Sequence, residues 1–156
     1  DMEDTRLERT IAASLAIAGK SGYLRASIHL FRELTHVSLK HARDNLNITY
    51  MCLNNLLDMG DLDTVKDYLA RSVDSSTEDL LRIIQYRIDE KIEKNENVFI
   101  KGAELTNSGL HDFYVYEIWL KSAMKANKKE AMIESIIDQA VKHHPIRKNH
   151  FIKMKA

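Results

Sequence analysis

Apolar residues recur along this chain at intervals of three and four, and turn signals cut the recurrence near positions 20, 60, 96 and 127. A spacing of about 30 to 40 residues is that of a two-helix repeat, in which each hairpin buries its stripe against the next. The first stripe is Leu7, Ile11, Ser14 or Leu15, and Ala18, closed by Gly19-Lys20-Ser21-Gly22; the second is Leu24, Ile28, Phe31, and Leu34 or Thr35. A third runs Leu46, Tyr50, Leu53, Leu57 to Gly60-Asp61, where Asp61 can cap a fourth carrying Leu62, Val65, Leu69 and Val73. Ser75-Ser76-Thr77 offers an N-cap ahead of Leu81, Ile84, Ile88 and Ile92. Asn95-Glu96-Asn97 is expected to break that helix before a shorter one through Phe99 and Leu105.

After the loop Asn107-Ser108-Gly109, one stripe holds Phe113, Tyr116, Leu120 and Ala123, and Val115, Ile118 and Trp119 make the opposite side apolar too. A helix apolar around most of its circumference is normally sandwiched between neighbours. Ala126-Asn127-Lys128 then turns the chain into Ile133, Ile136 or Ile137, and Ala140, ending near Pro145. With only 5 glycines and 1 proline there is little of the punctuation that strands require. The expectation is an all-α chain of stacked antiparallel helical hairpins, a tetratricopeptide-like α-solenoid of about eight helices with more than about 65% helix and no sheet. Residues 1–145 are expected to form that repeat domain, and residues 146–156 a basic C-terminal helix or tail.

Composition narrows the function classes. At 156 residues, 44% hydrophobic and 29% charged, the chain can bury a core, and 23 basic residues against 23 acidic ones leave no net field to attract nucleic acid or an anionic membrane. The single cysteine, Cys52, excludes an intramolecular disulfide framework and any multi-cysteine zinc site. It fits a reducing compartment, so an intracellular protein of the cytoplasm, the nucleus or both is expected. No apolar run approaches the roughly 18 residues of a membrane span. The chain begins with Asp1, as a fragment would.

The residue types that carry chemistry fall in patterns that do not assemble it. His29 and His36 share a helical face but stand two turns apart, about 10 Å, too far for one ion. His36 and His41 diverge by about 140° around a helix. Cys52, beside Met51 and Leu53, reads as a small buried hydrophobe, with no adjacent base to make it a nucleophile. The glycines spell neither a dinucleotide fingerprint nor a P-loop. Asp58, Asp61, Asp63 and Asp67 lack the terminal glutamate of a calcium loop and suit a helix N-terminus instead. Glu134, Asp138 and Lys142, spaced at four, read as an exposed salt-bridge ladder. No catalytic residue, cofactor, metal or small-molecule substrate is therefore expected.

One segment is strongly one-signed. From Lys142 to Ala156 it carries Lys142, Arg147, Lys148, Lys153 and Lys155 with His143, His144 and His150 and no acidic residue. Apolar Ile146, Phe151, Ile152 and Met154 interrupt the charges, giving anchors inside a positive rim. Ile146, Arg147, Lys148, Phe151, Ile152, Lys153 and Lys155 are the expected contact residues for an acidic surface on a protein partner or on the remainder of a longer chain, with nucleic acid the weaker alternative; a solvated end of a helical domain is the plainer reading of the same charges.

The hairpin pattern resembles the helical-repeat segment of PCI-domain proteins, in the branch shared by a proteasome lid subunit and the largest signalosome subunit. The residues that carry the resemblance are Asn45-Leu46-Asn47-Ile48-Thr49-Tyr50-Met51-Cys52-Leu53, the Gly60-Asp61 turn, the helix from Val65 to Ser72, and Phe99-Ile100-Lys101-Gly102-Ala103-Glu104-Leu105. The aromatic helix from Phe113 to Met124 is similar to the next one of that family. Gly102 departs from the family, which usually has alanine there. Nothing after Pro145 is long enough for the winged-helix subdomain that follows the family's repeats, so either the chain is a fragment or the likeness is confined to the repeats. The resemblance implies a non-catalytic scaffold that binds other protein subunits in a PCI-type complex. A tetratricopeptide-type peptide adaptor, or a nucleic-acid-binding helical protein using its basic C-terminus, is the alternative.

Overall fold

The computed structural model describes residues 46–58, 60–72 and 78–156. The first expected hairpin, with His29, His36 and His41, lies outside them, as do Val73 and the expected cap at Ser75-Ser76-Thr77. Among the described residues 84% are helical and no strand occurs. Seven α-helices follow in order: α1 (Leu46–Asp58), α2 (Leu62–Arg71), α3 (Asp79–Ile92), α4 (Asn95–Asn107), α5 (Phe113–Lys125), α6 (Glu130–His143) and, after a 3-10 turn at Pro145–Arg147, α7 (Lys148–Lys155).

Three of these helices end in the same way. At Gly60, Gly109 and Asn127 the backbone turns left-handed, with φ of 83°, 91° and 56°. The residue after each then returns its N–H to a carbonyl five positions back: Asp61 to Leu56, Leu110 to Leu105, Lys128 to Ala123, at 2.9, 3.0 and 3.0 Å. This is the Schellman closure, which satisfies carbonyls the helix end leaves free and needs a residue that tolerates positive φ. Asp61 does cap α2. Its carboxylate accepts from the Thr64 N–H at 3.3 Å and the Thr64 hydroxyl at 2.7 Å.

One expected break is displaced. Asn95-Glu96-Asn97 forms the first turn of α4 rather than a turn between helices, and the chain bends at Glu93 and Lys94. The first N–H groups of a helix lack intrahelical partners and favour a negative side chain such as Glu96, so polar residues there start a helix as readily as they end one.

The chain divides into two compact units, with the boundary inside α3 between Ile84 and Gln85. In the first, α1 packs on α2. Its core includes Cys52, Leu53, Leu56, Leu57, Val65 and Leu69, all buried. In the second, α5 is covered by α4, α6 and α7, as its two apolar sides require. Val115, Tyr116, Ile118, Trp119, Leu120 and Ala123 are buried along it.

The α4–α5 approach is the most extensive in this unit, and it turns on Gly102. A Cβ added there would lie 2.5 Å from Trp119 Cδ1 and 2.5 Å from the Tyr86 hydroxyl. Only a residue without a side chain lets the indole lie against the α4 backbone. The buried Tyr86 hydroxyl donates to the Val98 carbonyl at 2.8 Å, and burial pushes the phenol above its ordinary range, keeping it a donor. Lys101 pairs with Asp89 at 2.6 Å, and Lys128 joins Glu96 at 2.7 Å while lying 4.6 Å over the Phe99 ring.

Of the two forms expected for the C-terminal segment, a helix or a tail, residues Lys148–Lys155 take the helix. The 3-10 turn and α7 pack on α6, and α7 also reaches α5. Phe151 is fully buried in a cluster with Tyr116, Trp119, Leu120, Ala123, Ile136, Ile137 and Ala140. The division expected at residue 145 therefore falls inside the second unit, because Phe151 supplies part of that unit's core.

Candidate functional site

The seven expected contact residues separate into those used internally and those left outside. Phe151 is 0% exposed, so the expected anchor for a partner is spent on the protein's own core. Its ring stands 5.6 Å from that of Phe113. Arg147 lays its guanidinium over the same Phe113 ring at 4.8 Å, a cation–π contact that fixes the 3-10 turn on α5. Lys155 reaches back to the start of α6, bonding Glu130 at 2.9 Å and also Glu134. The hydrogen bonds from Glu134 and Glu130 raise the Lys155 pKa, and Lys155 lowers that of Glu130. Both groups face water, so this ion pair holds geometry more than stability. It also occupies the Glu134 expected to begin a ladder along α6.

Four of the seven remain outward. Ile146 is 96% exposed and Ile152 47%, the former the most exposed large hydrophobe among the described residues. Lys148 and Lys153 are exposed on α7, and Lys142 is exposed in the last turn of α6. Lys148 and Ile152 are one turn apart, so a cation and an apolar side chain share a face. A methylene stem beside an isoleucine is suited to an apolar contact ringed by charge.

A second feature, which sequence reasoning missed, lies beside the same segment. His111, in the loop before α5, stacks face to face on His143 at the end of α6, with ring centroids 3.7 Å apart and planes 8° from parallel. The His111 Nδ1 lies 2.7 Å from the Tyr116 hydroxyl. His144 Nε2 donates to the His111 carbonyl at 2.7 Å; a carbonyl can only accept, so the ring carries its proton on Nε2. His150 on α7 meets Glu117 on α5 at 2.7 Å. Three of these contacts join residues 32 or 33 positions apart, for which a lone histidine in a sequence offers no signal.

Cys52 is buried, and desolvation pushes its thiol from an ordinary 9.0 up to about 12. Among the described residues no group of three or more His, Cys, Asp or Glu side chains could hold a metal ion, and no helix is long and apolar enough to cross a membrane. No protein-family model, curated protein sequence or solved structure matches the chain.

Proposed function

We propose that the chain is a non-catalytic scaffold of stacked, tetratricopeptide-like hairpins that serves as a subunit of a PCI-type multiprotein complex, of the proteasome lid or signalosome kind, in the cytoplasm or nucleus. Its partner is another protein subunit, held on the outward side of the C-terminal segment by Ile146, Lys148, Ile152 and Lys153. The observation that carries this reading is the position of Ile146, almost wholly exposed on a segment that buries Phe151 completely and leaves Ile152 half exposed. Single exposed apolar residues are ordinary. Two isoleucines on one docked segment, with exposed lysines between and beside them, match an interface with an apolar centre and a charged rim. The all-helical fold supports the reading because stacked helices offer extended surfaces without a chemical constellation.

The test is quantitative affinity capture from cell extract with the wild type and with an Ile146→Asp/Lys148→Glu variant, helix content being checked by circular dichroism. Loss of a discrete set of partners with the fold intact is the expected result. An unchanged set of partners would remove the C-terminal surface as the binding site. Once a partner is in hand, Lys148→Glu and Lys153→Glu should slow association and flatten its salt dependence, since rim charges act mainly on the encounter.

A further inference from the structure

The last helix of the second unit is held by side chains that all lie beyond one short hinge. Phe151 is fully buried in the cluster that Tyr116, Leu120, Ile136 and Ala140 build on α5 and α6. Arg147 lies over the Phe113 ring, His150 meets Glu117, and Lys155 bonds Glu130 and Glu134. Each of these contacts ties residues 147–155 to α5 or α6, and none depends on the covalent link through Pro145 and Ile146.

The hinge itself adds little to the docking. Pro145 and Ile146 are both exposed, so opening the chain there gives up little packing. The Arg147 N–H, which donates to the His144 carbonyl at 3.0 Å across the turn, belongs to an exposed residue and can be satisfied by water. The chain reverses at His144, with φ of −134° and ψ of 65°. A residue before proline favours ψ of about 120–160°, so a conformer that carries α7 away from its own unit is open to this hinge.

Once released, α7 needs another dock. It has eight residues, and an isolated helix shorter than about 12–15 residues is marginal in water. The surface that fits it is an apolar cleft with Glu117 on one wall and Glu130 and Glu134 on the other, and every copy of the chain carries that cleft. We propose that two copies exchange α7, each docking its helix on α5 and α6 of the other about a two-fold axis. Phe151, Arg147, His150 and Lys155 then make between copies the contacts they make within one, so the fit is guaranteed by identity. The exchange does not rest on a partner at the outward face, because Lys148, Ile152 and Lys153 stay exposed whichever copy α7 docks on.

Concentration sets the balance. A short linker holds its own dock at an effective concentration on the order of mM, so exchange competes as the chain approaches about 1 mM. Lengthening a hinge lets the helix close on its own unit and favours the monomer.

Equal amounts of unlabelled and 15N-labelled full chain, unfolded together in urea and refolded at about 1 mM, test this. A zero-length carbodiimide joins Lys155 to Glu130 or Glu134 where they touch, and the mass of the joined peptides tells whether they come from one copy or two. The expected result is a dimer whose joined peptides are of mixed isotope in the statistical proportion, beside a monomer in which they never are. In methyl NMR Met154, which packs against the core cluster, should keep its docked signal in that dimer, while Ile118, buried on α5, reports that the unit is folded. Inserting Gly-Ser-Gly between Pro145 and Ile146 should lower the dimer fraction about tenfold, with Lys155 still joined to Glu130 inside the monomer. A chain that stays monomeric, a dimer whose joined peptides always match in isotope, a dimer in which Met154 has lost its docked signal, or a dimer untouched by the insertion would each overturn the proposal.

Discussion

Glycine does two different jobs in this chain, and the same substitution separates them. At Gly102 the backbone is helical and the obstacle is steric: a methyl group would meet the Trp119 ring and the Tyr86 hydroxyl. Ala is favoured over Gly in a helix by up to about 1 kcal/mol, whereas forcing a carbon into a filled core costs about 1–3 kcal/mol, so Gly102→Ala should destabilise. At Gly109 nothing lies within 4 Å of an added Cβ, and the cost is the left-handed backbone alone. Gly109→Ala should therefore cost about 1 kcal/mol and be largely relieved by Gly109→Asn, while Gly102→Asn should be worse than Gly102→Ala. Urea unfolding followed by the fluorescence of Trp119, the chain's one tryptophan, measures all four. Relief by asparagine at position 102 would contradict the steric assignment.

Cys52 gives the second prediction at this scale. Its thiol stays protonated up to about pH 12 in the fold but ionises near 9.0 once exposed. The folded state thus holds the proton more tightly, and this contribution to stability is present below pH 9 and falls as the pH rises towards 12. Native protein should react with thiol reagents far more slowly than urea-unfolded protein at about pH 8. Equal rates would show that the thiol is exposed.

At the scale of elements, the helices were legible because their signals are local. The stripes of α1 to α6 repeat within a few residues, and Gly60, Gly109 and Asn127 stand where a helix must close through positive φ. The start of α4 was misplaced because Asn-Glu-Asn suits either end of a helix. The role of α7 could not be read, since nothing local tells Phe151 from Ile152; one is buried and the other half exposed only because of where α5 and α6 lie. Phe151→Ala is accordingly expected to act on the fold before it acts on any partner. Core Phe→Ala changes cost about 3–5 kcal/mol, but α7 can detach as a unit, which caps the loss at its docking free energy. The signature should be release of Met154 at neutral pH with Ile118 unchanged, and retention of the docked Met154 signal would contradict it.

For the whole molecule, the chain uses its basic C-terminus twice. Phe151, Arg147 and Lys155 hold the segment to the second unit, and the residues left over, Ile146, Lys148, Ile152 and Lys153, face outward. A one-signed charge run with apolar interruptions marked the segment in the sequence, but not which residues were already engaged, because their partners Phe113, Glu130 and Glu134 lie 21 to 38 positions away. The histidine nest was illegible for the same reason. The proposed scaffold role comes down to whether this face, rather than another exposed apolar position, meets a partner. Site-specific photocrosslinking in cells addresses that directly, with the crosslinker placed in turn at Ile146, Ile152, Ile100 and Met132, the last two being similarly exposed to Ile152 on α4 and α6. A discrete protein adduct from positions 146 and 152, lost when Lys148 and Lys153 are changed to glutamate, is the expected result; adducts from 100 or 132 with none from 146 would contradict it.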